Sequence, residues 1–562
     1  MKKISQLILF AFVLVSCSNK TTDNSSYKYD YLYEDLPFGM PKIAIPSFPD
    51  NSVNLLDFGG RPDGITLNTA AFADAIQDLS EQGGGRLIVP KGVWFTGPIE
   101  FRSNINMHLE KGALILFSPD FDLYPLVETV FEGLDTRRCQ SPISGRNLEN
   151  IAITGEGSIN GSGEAWRPLK KEKVTESQWK QVVASGGVVR GDNYWFPSEA
   201  SMKGDEISDM NVPRQDMTED EWMAIRDFLR PVMVSFIECK NLYLQGVLFE
   251  NSPAWNIHPL MCENVIVDGI MVRNPSYSQN GDGIDLESCV NSIIVNSVFD
   301  VGDDAICVKS GKDGDGRRRD RPTENLIVDN CKVFHGHGGF IVGSEMSGGV
   351  RNISVKNCQF LGTDVGLRFK STRGRGGVVE NIYISDIYMF NITTDSFLFD
   401  LYYGGKSASE SLADGDTTPT DEPLFKVTEE TPLFKNIYVK DLVSRNARRA
   451  MFFNGLPEMN IENINLENAF ITARFGAELS ESTDIRFKNV TVIAQEGPAF
   501  QFNNVKNFIS EGLGFDKRSS GKMIEINGEK TSAMAFTCLS ENIVEIAPNV
   551  DKKQVIFNET ND

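Results

Sequence analysis

Four short phrases decide how this chain folds: Asn280-Gly281-Asp282-Gly283-Ile284-Asp285, Gly302-Asp303-Asp304-Ala305-Ile306, Gly336-His337-Gly338 and Gly366-Leu367-Arg368-Phe369-Lys370. Aligning Gly283-Ile284-Asp285-Leu286 with Ala305-Ile306-Cys307-Val308, Gly339-Phe340-Ile341-Val342 and Gly366-Leu367-Arg368-Phe369 gives four short strands whose apolar residues alternate toward one side. Stacked as successive turns of one coil, neighbouring strands lie about 4.8 Å apart. In that register Asp282 and Asp304, 22 residues apart, take equivalent places just before adjacent strands, while Asp303 and His337 sit one position earlier in theirs. The period of two sends Asp285, Lys309, Arg368 and Lys370 to the outer face. Acids and cations would then share one wall.

The rest of the chain supports a coil. An Asn followed by alternating apolar residues recurs at Asn150-Ile151-Ala152-Ile153, Asn241-Leu242-Tyr243-Leu244, Asn264-Val265-Ile266-Val267, Asn325-Leu326-Ile327-Val328, Asn352-Ile353-Ser354-Val355, Asn381-Ile382-Tyr383-Ile384 and Asn436-Ile437-Tyr438-Val439, with later copies expected at Asn460, Asp484 and Asn507. Spacings such as 23, 27 and 29 residues are too short for a strand-helix-strand unit but suit a turn of three short strands. A β-sandwich would not repeat one phrase at one period. Ahead of the repeats, Phe72, Ala75, Ile76 and Leu79 predict a helix over Thr69 to Glu81, stopped at Gly83-Gly84-Gly85 and suited to covering the open first turn. Strands are expected at Arg86 to Pro90 and Ile105 to Leu116.

Two departures break the period. Between Gly161 and Pro231, Trp166, Trp179, Trp195 and Trp222 fall among two helix-like segments, and Thr218-Glu219-Asp220-Glu221 has the form of a capping box. These indoles are read as the core of an inserted lobe rather than as sugar platforms. The polar stretch Gly404 to Glu430 is read as a loop or an irregular turn.

The 562 residues, 41% apolar with 49 glycines, suffice for a core rich in turns. The net charge of −22 argues against a nucleic-acid partner. Nine cysteines raise the question of disulfides, but Cys239 and Cys262 each stand two residues before an Asn, and Cys331 and Cys358 both follow one, so buried stacks are the preferred reading. The start, Met1-Lys2-Lys3 with an apolar run to Leu14-Val15-Ser16-Cys17, resembles a bacterial lipoprotein signal, which implies lipidation at Cys17 and an extracytoplasmic protein, periplasmic or surface-exposed. The expected organisation is a signal peptide over 1–16, a tether over 17–50, one β-helix domain over 51–550 with an insertion at 162–230, and a tail over 551–562.

The four phrases also resemble the signatures of glycoside hydrolase family 28, the polygalacturonases, which read Asn-Thr-Asp, Asp-Asp after Gly, Gly-His-Gly and Arg-x-Lys. The one departure is Gly281 where the family has Thr. The resemblance implies an all-β fold, a right-handed single-stranded parallel β-helix with an N-terminal capping helix and a helical insertion. It further implies an inverting hydrolase of α-1,4-galacturonan, an acidic plant polysaccharide, without metal or organic cofactor. Asp303 resembles the family's acid, Asp282 and Asp304 the pair that activates water, and His337 the neighbour that tunes Asp303. Arg368 and Lys370 resemble its clamp for a uronate carboxylate. Asn280, His258, Lys309 and Tyr402 or Tyr403 complete the expected substrate contacts, and Arg317-Arg318-Arg319-Asp320-Arg321 could add local positive charge.

Action from chain ends is expected from the insertion and long loops, and a monomer is expected. Rival readings are a hydrolase of rhamnogalacturonan or another decorated pectin, a calcium-dependent pectate lyase, and a non-catalytic polysaccharide-binding β-helix.

Overall fold

The computed structural model describes residues 27–207, 211–213, 216–404, 424–516, 522–537 and 539–558. Cys17 and residues 405–423 of the expected loop lie outside them. The stretch ending at Leu36 is a small unit of its own, containing a 3-10 turn over Asp30–Tyr33, and Pro37–Asp562 forms a second unit. No helix among the described residues is long and apolar enough to cross a membrane.

The second unit is a parallel β-helix in which each turn carries three strands. One wall stacks the strands Val234–Ile237, Ile257–Leu260, Ile284–Glu287, Asp304–Lys309, Gly338–Val342, Leu367–Lys370 and Asp395–Asp400, all parallel. The register is the one expected from sequence: Ile284 pairs with Ile306, Ile306 with Phe340 and Phe340 with Leu367. Inward residues of every turn, such as Ile284, Ile306, Phe340, Leu367 and Phe397, merge into one continuous apolar core.

The repeated asparagines explain how each turn closes. Asn150, Asn241, Asn264, Asn325, Asn352, Asn381 and Asn436 all have φ between 53° and 60°. Asn tolerates this left-handed conformation because its short side chain bonds locally. Here the side chains bond between turns instead: Asn241 Nδ2 donates to Asn150 Oδ1 at 3.0 Å, Asn264 to Asn241 at 3.0 Å, and Asn352 to Asn325 at 3.1 Å. The copy expected at Asn460 is in fact at Asn463, which has φ 52° and donates to Asn436 at 2.7 Å. Asn460 follows a turn and bonds Leu456 O.

The predicted helix occupies Thr69–Glu81, and Phe72, Ala75, Ile76 and Leu79 bury their side chains in the first turns of the core. It shields apolar surface that no further turn covers. At the other end the expected tail is part of the coil, since Val555–Asn558 pairs with Met534–Thr537. Within the expected tether, Ile43 is buried.

All seven described cysteines are free and buried, which favours stacks over disulfides. Cys239, Cys262 and Cys289 occupy one corner of successive turns, each donating its thiol to the carbonyl two residues back.

The insertion contains short helices over Glu176–Ala184, Glu199–Asp205 and Glu219–Met223, the last with the predicted capping box at Thr218. A small antiparallel sheet joins Leu169–Lys170, Val188–Arg190 and Tyr194–Phe196. Trp166, Trp179, Trp195 and Trp222 are all buried, so they fill small cores. A further element was not foreseen: an antiparallel hairpin of Leu126–Phe131 and Leu134–Cys139 turning at Glu132-Gly133. It leaves the coil and lies over the outer face of two turns ahead of Asp282, with Val130 packed on Ile237 and Leu260.

Candidate active site

The coil gathers the three carboxylates. One oxygen from each of Asp282, Asp303 and Asp304 lies within 4.8 Å of the others, the one group among the described residues close enough to hold a cation between them. Asp304 already has cationic partners: Lys370 Nζ donates to its Oδ2 at 2.6 Å and Arg368 Nη1 to its Oδ1 at 3.5 Å. Lys370 and Arg368 hold the Asp304 carboxyl well below the usual carboxylate range despite its burial. Asp282 is 3% exposed, and its Oδ1 is buried without a hydrogen-bond partner. Burial first, then the nearby Asp285 and Asp303 charges, push its proton affinity up. Three carboxylates this close do not all ionise together. The cluster retains a proton among its members, and the carboxylate beside the cations, Asp304, stays ionised.

Asp303 is the member that reaches solvent, its side chain 22% exposed. Its Oδ1 accepts from the Asp304 backbone N–H at 3.0 Å and lies 3.0 Å from His337 Nδ1. That contact raises His337 above the ordinary imidazole value. His337 itself is half exposed, held where its backbone N–H donates to Asp303 O.

Gly281, the departure from the Asn-Thr-Asp pattern, has a local reason. A Cβ there would lie 2.0 Å from Ser278 Oγ, and one at Gly302 would lie 2.5 Å from the same atom. Ser278, buried and donating to Pro275 O at 2.6 Å, fills the space that a threonine side chain would need. The carboxylate stays in register, leading into the strand Ile284–Glu287.

Several expected contacts stand elsewhere. His258 is 1% exposed and its Nε2 is 2.9 Å from Glu287 Oε2, so it is covered on the outer face of the wall and lines no subsite. Lys309 faces away from the core as the alternation requires, yet it is buried between Asp285 at 3.1 Å and Glu345 at 3.2 Å, with the Trp255 ring 3.8 Å away. It is therefore not a free substrate contact. Asn280 Oδ1 accepts from Arg230 at 2.8 Å. Tyr402 is buried, and its neighbour Tyr403 is the exposed ring, 4.9 Å from Lys370 Nζ and 5.9 Å from the Arg368 guanidinium. Arg317 donates to Gly374 O and Arg375 O, and Arg319 to Asp135, so the basic run ties loops together more than it lines the groove.

Sequence reasoning missed Arg230 and the hairpin. Arg230, buried at the exit of the insertion, donates to Pro253 O, Gln279 O and Asn280 Oδ1 and so fixes the approach to Asp282. Phe131 of the hairpin stacks on Trp255 at 4.4 Å, and Arg138 lies 3.8 Å over Phe131. At the tip, Glu132 accepts from Asn211 of the insertion at 2.7 Å and pairs with Lys312 at 3.7 Å. Hairpin and insertion together roof the wall up to Lys309. The two-residue turn Glu132-Gly133 between alternating runs was the available signal.

A solenoid with clustered acids on one wall leaves a hydrolase, a lyase and a polysaccharide-binding protein open, and comparison with known proteins makes the class specific. The family model "Glycosyl hydrolases family 28" matches residues 227–418. A crystal structure of a hyperthermoactive exopolygalacturonase from Thermotoga maritima is similar at 32% identity and TM-score 0.60, covering 84% of this chain and 94% of that one. An exo-poly-alpha-D-galacturonosidase of Dickeya chrysanthemi is 25% identical over 472 residues, 82% of this chain and 74% of its own. A probable polygalacturonase of Vitis vinifera is 28% identical over 431 residues, 75% of this chain and 74% of its own. The chain belongs to glycosyl hydrolase family 28. It is a glycoside hydrolase on a right-handed parallel β-helix.

Proposed function

We propose that the protein is an exo-acting polygalacturonase that hydrolyses α-1,4-linked galacturonate from the ends of pectic chains. The observation that carries this reading is the position of the acid cluster, open to the groove at Asp303 and His337 and roofed on the preceding turns by the hairpin and insertion. A groove closed beside the reacting bond admits a chain end more readily than a chain middle. The relatives from Thermotoga maritima and Dickeya chrysanthemi, both exo-acting by name, support it.

In this reading the cluster's one proton stands on Asp303 when substrate is bound and passes to the departing glycosidic oxygen, while Asp282, then ionised, and Asp304 orient the attacking water and take its proton. The buried Asp282 Oδ1 is a ready acceptor for a water O–H. His337, holding its charge beside Asp303, aids re-protonation between turnovers. Arg368, whose Nε has no hydrogen-bond partner, and Tyr403 face the path of the anionic chain. The carboxylate oxygens are closer than the roughly 6.5–9.5 Å between carboxyls usual for inversion. Inversion is retained because Asp282 and Asp304 are too deeply buried, and Asp304 too tightly paired, to reach an anomeric carbon as nucleophile.

Incubation with polygalacturonate, followed by proton NMR of the first product, tests both points. Monomeric or dimeric product of β configuration from the start is expected. Early mixed oligomers would remove the exo assignment, an α product would remove inversion, and turnover of rhamnogalacturonan alone would move the substrate. The leader supports a location outside the cytoplasm with attachment through Cys17. Loss of labelled lipid in Cys17→Ser checks that.

A further inference from the structure

A fourth carboxylate beside the cluster has no role in the chemistry above. Asp285 stands three residues after Asp282, on the strand Ile284–Glu287 that Asp282 leads into, faces away from the core and is completely buried. Charged and titratable groups surround it from every packed element. On its own strand Glu287 is buried and paired with His258 of the preceding turn at 2.9 Å. From the next turn Lys309 brings its ammonium to 3.1 Å, and Cys307 stands opposite in register. Beyond Lys309, Glu345 grips the same ammonium at 3.2 Å. On the remaining side are Asp282 and Asp304, the second tied to Lys370 and Arg368.

Filling space does not explain this arrangement. A buried ion pair is commonly no more stabilising than apolar side chains of similar volume. Lys309 also has two carboxylates where one would neutralise it, so the group keeps a net negative charge beside a cluster that must hold a proton. We infer that Asp285 is a positioning residue for the reaction: its charge, anchored by Lys309, sets how firmly the Asp282, Asp303 and Asp304 cluster keeps its proton. This rests on the hydrolytic reading of the cluster given above.

The sign follows from Coulomb's law. A negative charge beside the cluster favours its protonated form, and Asp285 is the second cause, after burial, of the raised proton affinity of Asp282. Burial, opposed by Lys309 and His258, brings Asp285 itself up to about 6, so its charge is present above that pH and fades below it. Asp285 therefore acts on the alkaline limb of the pH-rate profile, where the cluster loses its proton. The acid limb, where Asp285 is itself neutral, is little affected.

The test is the pH dependence of kcat/KM on polygalacturonate for wild type, Asp285→Asn and Glu345→Gln, with folding checked by circular dichroism. Asp285→Asn is expected to move the alkaline limb toward acid by about one pH unit, leaving the acid limb nearly in place. Glu345→Gln removes a charge one step further away and moves the same limb the same way by less. It decides the matter if Asp285→Asn does not fold. A folded Asp285→Asn with a lower rate and an unmoved alkaline limb overturns the inference, as does a shift toward alkali. If the wild type turns over no pectic polymer, the functional reading fails instead, and infrared titration of the protonated carboxyl band still tests the inference. Loss of that band at lower pH in Asp285→Asn supports it, and loss at an unchanged pH overturns it.

Discussion

Two stretches of the same wall are built by one rule, yet only one of them lets charged side chains reach solvent. Ser235, His258, Asp285 and Cys307 follow one another in register on the outward side, and all are buried beneath the hairpin, the insertion and the groups those hold in place. Continuing the row, Ile341, Leu398 and Phe452 are buried, while Arg368 among them and Glu478 three turns beyond it reach solvent, as do His337 and Tyr403 beside the row. The backbone geometry does not change between the two stretches. The coil decides where a side chain stands, and the excursions from the coil decide whether it meets substrate. The same residue types become structural ion pairs on one side and, in the proposed reading, chemistry on the other.

The sharpest test of that division is Asp303→Asn, which removes the proposed proton donor at the boundary without changing its shape. Turnover should fall by about 10²–10⁴-fold, with the melting temperature little changed. His337 should then titrate at a lower pH, since Asp303 raises it, and NMR can follow it among only four histidines.

Next in size is Lys370→Met. Asp304 is held ionised by Lys370 first and Arg368 second, so loss of the ammonium raises its proton affinity and moves the acid limb of the pH-rate profile to higher pH. The opposite limb and opposite direction separate this from the effect expected of Asp285→Asn.

Gly133→Val attacks the roof. Gly133 has φ 73° and a Cβ would lie 2.5 Å from Lys312 N, so a branched side chain must lift the hairpin tip. Longer oligomers should appear among the early products on a size-exclusion trace, with a several-fold change in product ratio at most. An unchanged product ladder in a folded variant would break the comparison, leaving the roof without influence on access.

The smallest effect belongs to the side remote from the site. Asn352→Ala interrupts the ladder between Asn325 and Asn381. It should cost about 1 kcal/mol for each of these two hydrogen bonds, with a further penalty from its left-handed backbone, read as a lower denaturation midpoint with kcat intact.

These contrasts also explain how far the sequence could be followed. Asp282, Asp304 and Gly338 stack because the phrase spacings count residues around a coil, and counting needs no knowledge of neighbours. The capping helix and the Thr218 box were local patterns and appeared where expected. Lys309 and His258 were misjudged because alternation tells inward from outward and says nothing of what lies on top. Their cover comes from Val130 and Phe131, more than a hundred residues earlier in the chain. Arg230 was missed for the same reason, its acceptors being backbone carbonyls that no composition reveals.

The sulfur stacks carry a consequence for how the molecule is made. The described thiols sit in the core as donors to carbonyls, and burial and the thiols of neighbouring turns keep Cys239, Cys262 and Cys358 firmly in the SH form. None of them waits on an oxidant to complete the coil. Refolding yield should be the same in reduced and oxidised glutathione, provided the chain closes before an alkylating reagent reaches those sulfurs.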